Sequence, residues 1–600
     1  MKKHISKRVL TLVLALVLVF ALSLGAFAAW NSFQGNGNIN HDNNGTIPVA
    51  PPTSTPTVTP VDLSMHNPYG DVYSGVDAET VMNNGVAYTL YNGGISSGLV
   101  GGARLRATTV SSGAQVWDIQ LDGSVNNESQ LATPYLDTAS GKLYTTVTIR
   151  TPIVDDYTLA GWTATGNASI NANGVATFGA GGGTISKTIT IDTVNYLYLP
   201  SNLMSTGSTS DGSYTIRLLS GGMPYQTLGS GTISPNSLYG GTYDSYTGTQ
   251  IAGGTYTLEI EVTNNTVAAT MNQIVLNRYD WRLYCVSNLS ATYPTVSMLL
   301  GNYCIDTRYE GQINTPIYCD GDGNIYFGVY GGTHSYYQLN TATLALAQFT
   351  PSVTPGSVGE DFYWAGAVKV NDGSVDYIVF GSDSGKVYVQ EKNDFDNPRT
   401  PIDLHSLTSY QVTPGEIRSS MVASNGGVYF TSKGTGANGW LWRIDIADIS
   451  NPGSSNIRAK EVEESNTSVS TPVISDNDIL YIGTSAYDLF YNSIGRIQAY
   501  NLDCSCITPS VYVGNPVQAS PIVYSISTGQ QSNRIDYIFF TTNSWNGAGY
   551  CYSMTKQTHT ASPVWSAGGT SSNCYTLQGF SSDDGYLIYG DDGGRLYIMH

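Results

Sequence analysis

Seven ring side chains, Tyr91, Tyr330, His334, Trp440, Tyr487, Tyr491 and Trp545, stand among Gly, Ser and Asn in segments that separate short β-prone runs. Rings beside amides and hydroxyls suit a ligand with both C–H faces and hydroxyl groups, as a sugar has. The same rings would also serve to pack loops beneath a neighbouring domain. The rest of the chain offers little reactive chemistry. Asp320-Gly321-Asp322-Gly323-Asn324 spaces oxygen side chains as a calcium loop begins, but the twelfth position, Gly331, has no carboxylate, so a hairpin turn is expected. Asp591-Asp592-Gly593-Gly594 reads as a turn for the same reason. No Gly-x-Ser-x-Gly, His-Glu-x-x-His, phosphate loop or Cys-x-x-Cys-His occurs. The pairs Asp155-Asp156 and Asp583-Asp584 are expected as solvated turn residues, because adjacency along a chain does not place two acids about one bond. No residue is assigned as catalytic, cofactor-binding or metal-ligating, and calcium is an open possibility without a ligand set.

The elements that must position these rings emerge from the order of the chain. Residues 1–28 have the form of a secretory signal: Lys2, Lys3, Lys7 and Arg8 precede an apolar run from Val9 to Leu24 and then Ala26-Phe27-Ala28. Cleavage near Ala28 and a secreted or cell-surface location are expected. No later run is apolar enough to span a bilayer as a helix. The formal charge of −19 becomes more negative once the leader's four cations are gone, which makes nucleic acid a poor partner. Seven cysteines do not make a framework. Cys285 with Cys304, and Cys551 with Cys574, are possible pairs, and free buried thiols are the alternative.

Only 12% of residues are charged while Gly numbers 66 and Tyr 43, a composition for many short strands and tight turns. A repeat is found by aligning the anchors Ala132–Tyr135, Asn314–Ile317, Ser470–Val473 and Ala519–Ile522, which read [A/N/S]-[S/T]-P followed by Tyr, Ile or Val. Weaker copies are Ala78–Val81, Ala365–Val368, Ser419–Val422 and Leu577–Phe580. Neighbouring anchors lie about 50 residues apart, the period of a four-stranded propeller blade. Each unit reads A, B, C and D strands in turn. Trp117 and Trp565 fall in D strands, where they are expected to pack blade on blade.

The last unit, Gly585 to His600, ends before its D strand. A closed β architecture avoids the resulting unpaired edge by pairing it with the other end of the chain. The donor is expected in residues 29–61, with Trp30 to Asn36 as the strand and Pro48 to Pro60 as an extended Pro/Thr-rich linker. The fold expected is therefore all-β, an eight-bladed propeller closed by an N-terminal strand, with seven blades as the runner-up. One interval breaks the period. Thr133 to Thr315 is 182 residues, and the surplus lies between a B strand in residues 62–156 and a C strand in residues 279–600. Residues 157–278 carry alternating runs such as Thr184–Ile191 and Gly254–Thr263, which predict an antiparallel β-sandwich inserted in the second blade.

The opening Trp30-x-x-Phe33-x-Gly35-Asn36, together with repeats reading Ser/Thr-Pro-Val and then Leu-Tyr-Ile-Gly, resembles the quinoprotein-type, PQQ-repeat β-propellers. The resemblance implies the propeller fold. It would also imply PQQ, calcium, a catalytic Asp and a disulfide of adjacent cysteines, but here Ser505 separates Cys504 from Cys506 and no metal-holding set is recognisable. The insert, through Gly254–Thr263 and Met271–Leu276, resembles carbohydrate-binding jelly-roll, galactose-binding-like domains. The function expected is a secreted or cell-surface non-enzymatic binding or scaffold protein whose sandwich engages an extracellular glycan or a surface protein. The alternatives are a PQQ-dependent dehydrogenase or carbohydrate-active propeller enzyme, and a structural surface-layer or filament component.

Overall fold

A proline has no N–H to give a ladder, so it belongs ahead of a strand's first paired residue. In the computed structural model, Thr133-Pro134, Thr471-Pro472 and Ser520-Pro521 stand there, immediately before the strands Tyr135–Asp137, Val473–Ile474 and Ile522–Ile526. The structure describes residues 55–600 except 64–74, 77, 94–101, 122–126, 129–131, 157, 193, 236–241, 302–312, 314, 331–334, 352–359, 407–413, 435–437, 463–465, 488–492, 527–529, 531–533, 545–546, 570–575, 577 and 584.

The chain is an eight-bladed β-propeller. Six sheets are built of four consecutive antiparallel strands, and two are completed from elsewhere in the chain. Blade 4 shows the pattern, with A, B, C and D strands at Val368–Asn371, Asp376–Gly381, Lys386–Glu391 and Ile402–Asp403. Its B strand is buried at five successive positions, as a strand covered on both faces by neighbouring blades must be. Blade-to-blade packing is largely aromatic. Tyr336 of blade 3 stacks on Phe380 of blade 4 at 4.0 Å, Trp565 of blade 7 meets Phe580 of blade 8 at 6.5 Å, and Trp117 of blade 1 donates its Nε1–H to Leu289 O of blade 2 at 2.8 Å. Each such buried ring is worth about 1.5–3 kcal/mol. Among the described residues the helical segments are three-residue 3-10 turns such as Lys392–Asp394.

The anchors also latch neighbouring blades together. The second residue of one anchor presents a hydroxyl to the backbone N–H of the equivalent residue in the preceding blade: Glu79 N to Thr133 Oγ1 at 3.1 Å, Gly366 N to Ser420 Oγ at 3.1 Å, Ser420 N to Thr471 Oγ1 at 2.9 Å and Thr471 N to Ser520 Oγ at 2.9 Å. In blade 4 the position is Gly366, where a Cβ would stand 2.4 Å from Ser420 Oγ. The Ser/Thr of the sequence repeat is therefore an inter-blade hydrogen-bond acceptor.

Blade 8 is closed by Val58–Asp62, which runs antiparallel to Arg595–Met599 from Val58 opposite Met599 to Asp62 opposite Arg595. Arg595 Nε pairs with Asp62 Oδ1 at 2.8 Å, and Val61 and Leu63 are buried in the same core as Leu596 and Tyr597. An N-terminal strand does seal the ring, but it comes from the segment expected to be linker. Trp30 to Asn36 lies outside the described residues. Pro60 misled the expectation: on an edge strand a missing N–H costs no ladder bond when it faces outward.

Blade 2 is the other exception. Its B and C strands are unusually long, Lys142–Asp156 and Ile274–Ser287, and pair from Val286 opposite Leu143 to Ile274 opposite Asp156. Their inner halves complete the blade with Tyr135–Asp137 and Thr295–Gly301. Their outer halves join Val194–Ser201 and Thr242–Ile251 to form one sheet of a β-sandwich. The facing sheet includes Ala176–Ile191, Gly254–Thr263, Ser213–Ser220 and Met223–Thr232. Phe178, Ile185, Leu258 and Ile260 on one side meet Val154, Leu197, Leu199 and Leu276 on the other in a single core. The register slips between Leu276 and Asn277, opposite Pro152, so a β-bulge marks where blade becomes sandwich. The junction is thus a continuous sheet, and the sandwich already includes Val154 of the strand that ends at Asp156.

Candidate functional site

In every blade the B–C and D–A connections share one end of the strands, and blade 2's insertion leaves from that end. The structure places the predicted rings unevenly about it. Tyr91 is in a strand, Val86–Gly93, with no exposure. Its hydroxyl donates to Asp118 Oδ2 at 2.7 Å and accepts from Arg104 Nε at 3.1 Å, and Arg104 pairs with Asp118 at 3.0 Å. This ring is a core element and not the loop residue expected. Trp440 begins a C strand, Trp440–Asp445, half-buried and 6.1 Å from Trp442. Tyr487 ends the B strand Ile479–Tyr487. His334, Tyr491 and Trp545 lie outside the described residues. Only Tyr330 is shown entering a cluster.

That cluster is assembled by four loops of blades 3 to 5. The D–A loop ahead of Val368 carries Asp361-Phe362-Tyr363-Trp364, and it is fixed below by Glu360, whose carboxylate accepts from Ser382 Oγ at 2.9 Å and also engages Ser384 and Lys386. Asp383 N donates to Asp361 O at 2.8 Å, and Ile417 N to Ser382 O at 3.0 Å, which ties the B–C turn of blade 4 to the loops on either side. Gly415 and Gly434 allow the next two loops to touch: each is at positive φ, and a Cβ on Gly415 would stand 2.5 Å from Gly434 C.

On this frame Tyr330 and Tyr363 meet edge to face at 5.1 Å, and Tyr363 lies 4.8 Å from Trp364. The Arg418 guanidinium stands over the Tyr363 ring at 4.5 Å. It is held there by Asp383, with Nη2 to Oδ2 at 2.9 Å and Nε to Oδ1 at 3.3 Å, and by Glu416 at 3.1 Å, which also pairs with Lys433 at 3.1 Å. All three rings are half-buried. Burial pushes the Asp383 carboxyl up to about 6, against the pull of Arg418 and with Glu416 and Asp361 adding to the rise. Trp364 has φ +60°, a left-handed backbone that costs a bulky residue roughly 1–3 kcal/mol. The signal for this cluster was present as the Phe362-Tyr363-Trp364 run beside an anchor. Nothing in the run itself marks it as facing the same end as the B–C loops, because that follows from the D–A connections sharing that end of the strands.

The other candidates resolve as structure. Asp320–Asn324 is the A–B hairpin turn expected: Asp320 Oδ1 accepts Asp322 N at 2.7 Å and Asn324 N at 3.1 Å, and Oδ2 accepts Tyr326 OH at 3.0 Å. Lys369 Nζ reaches Asp320 O at 2.7 Å and Asp322 Oδ2 at 2.8 Å, so the turn draws its cations from the chain itself. Of the acid pairs, Asp156 and Asp583 differ from expectation, and Asp584 lies outside the described residues. Asp155 and Asp156 end a strand, where Asp156 accepts from Trp162 Nε1 at 2.7 Å and Lys187 at 2.5 Å. Asp583 is buried in the strand Ser581–Asp583 and accepts from Gly85 N at 3.3 Å. Among the described residues Cys285, Cys319, Cys504 and Cys551 are free thiols, and the proposed partners Cys304 and Cys574 lie outside the described residues. Cys504 lies in the C–D turn of blade 6, where burial pushes its thiol up to about 12, and Cys506 begins the D strand opposite Tyr500. Among the described residues no group of three His, Cys, Asp or Glu converges as a metal site, and no helix is long and apolar enough to cross a membrane.

No protein-family profile matches the chain, and no curated protein matches it. Among solved structures it is similar to Sqt1 of Saccharomyces cerevisiae (14% identity over 53% of this chain and 78% of that one, TM-score 0.36). It is also similar to Sqt1 of Chaetomium thermophilum (11%, 68% and 98%, TM-score 0.34) and to the Dos1 propeller (11%, 53% and 88%, TM-score 0.32). At such overlap nothing of ligand or partner passes from those proteins to this one. The blade count stands on the chain's own strand pairing.

Proposed function

We propose that the chain is an exported, non-enzymatic binding or scaffold protein of the cell surface or extracellular space, in which the propeller is a platform and the sandwich a recognition domain for a glycan or surface protein. The observation that carries this is the shared sheet. Thirteen paired positions, Val286–Leu143 to Ile274–Asp156, run from blade into sandwich, so the second domain is held in fixed orientation at the end of the molecule that also carries the ring cluster. A hinge would leave the two independent, whereas a continuous ladder makes them one presenting surface. The quinoprotein-type lineage, the jelly-roll character of the sandwich and export through residues 1–28 belong to this reading. Glycan arrays and surface-protein capture with the full chain test it. Retention of a specific ligand supports it, and silence in both assays removes it. Intact mass of the exported chain, expected to begin at Ala29, tests the leader.

A further inference from the structure

We infer that the cluster of Tyr330, Tyr363, Trp364, Asp383 and Arg418 is a binding site for a neutral saccharide. The inference rests on the binding-protein reading and adds to it a site on the propeller itself. Tyr330 and Trp364 flank Tyr363 at 5.1 and 4.8 Å, tilted against it and half-buried, and offer ring surface of the kind that the C–H face of a pyranose covers. Beside them stand planar polar groups at fixed angles. The Arg418 guanidinium is clamped between the Tyr363 face and the Asp383 carboxylate, and its Nε and Nη2 are the nitrogens so engaged. The remaining N–H groups and carboxylate lone pairs are preorganised for vicinal hydroxyls.

Charge selects neutral over ionic ligands. Asp383 and Glu416 are both paired with Arg418, Glu416 also with Lys433, and Asp361 stands near Asp383 as a third acid. A cationic peptide would have to displace Arg418 or Lys433, and an anionic sugar would meet the carboxylates. A neutral polyol needs neither exchange. The left-handed backbone at Trp364 is consistent with a ring held where folding alone does not favour it.

The full chain is titrated calorimetrically at pH 7 with cellohexaose, mannohexaose and galactohexaose, and separately with hexalysine. The wild type is expected to bind at least one of the sugars and not hexalysine. Trp364→Gly removes the ring while suiting the positive φ, and should weaken binding roughly tenfold without lowering the urea midpoint. Arg418→Gln and Tyr330→Ala, at half-exposed positions, should weaken it similarly. The inference is overturned if no sugar binds, if hexalysine binds instead, or if all three variants bind as the wild type does. In that last case a ligand held by the sandwich would leave the broader reading standing.

Discussion

Two acid clusters at opposite ends of neighbouring blades use the same residue types to different ends. In the Asp320–Asn324 turn, Asp322 is half-exposed, and its bonds to Lys369 and then Lys392 hold its carboxyl down to about 2. At the B–C end, Asp383 is paired bidentately with Arg418 yet is pushed up to about 6, because burial outweighs pairing. The first arrangement closes on itself: backbone N–H groups, a tyrosine hydroxyl and two lysines satisfy the acids. The second buries its carboxylate against a guanidinium that also covers a tyrosine face, beside three half-buried rings. The first is a structural turn, and the second sets matched charges next to ring surface.

The comparison can be broken from either side. The largest effect is expected from Asp320→Ala, since this buried carboxylate accepts from two backbone N–H groups, Asn324 Nδ2 and Tyr326 OH. Leaving those donors without a partner should cost about 3–4 kcal/mol in urea unfolding. Next comes the pH dependence. Because burial favours the protonated form of Asp383, the folded chain binds that proton more tightly than the unfolded chain, whose carboxyl titrates near ~3.9. The associated stability is fully present below the unfolded pKa and is lost as pH rises through about 6. A wild-type minus Asp383→Asn difference should therefore change by up to about 3 kcal/mol between those limits, and a flat difference would remove the contrast. Arg418→Met should cost about 2 kcal/mol at pH 7.5 and less at pH 5, where the abandoned carboxyl is neutral. The smallest effect is expected for Lys369→Met, at most ~0.5 kcal/mol, because its partner Asp322 is solvated.

Much of the architecture was legible because it repeats. Ser/Thr-Pro anchors recur wherever an inner strand needs a non-donating first residue and a latch hydroxyl, and the broken interval after Thr133 exposed the insertion. The closing strand was placed in the wrong segment because Val58–Asp62 contains Pro60 and lies in a Thr/Pro-rich stretch, features that only an edge position reconciles with a strand. The ring cluster was legible only in its parts. Tyr330, Tyr363, Asp383 and Arg418 come from four loops with no shared spacing, and their convergence is a property of the circle. Tyr91 misled in the other direction: a Tyr beside Asn and Gly reads as a loop residue until Arg104 and Asp118 from neighbouring strands claim its hydroxyl.

The most direct test of the claim that the B–C end of blades 3 to 5 is a ligand site is hydroxyl-radical footprinting of the full chain with and without a saturating mixture of the three neutral hexaoses. Protection concentrated at Tyr330, Tyr363 and Trp364 is the predicted result. Unchanged oxidation of those rings, or protection confined to the sandwich strands, would contradict it.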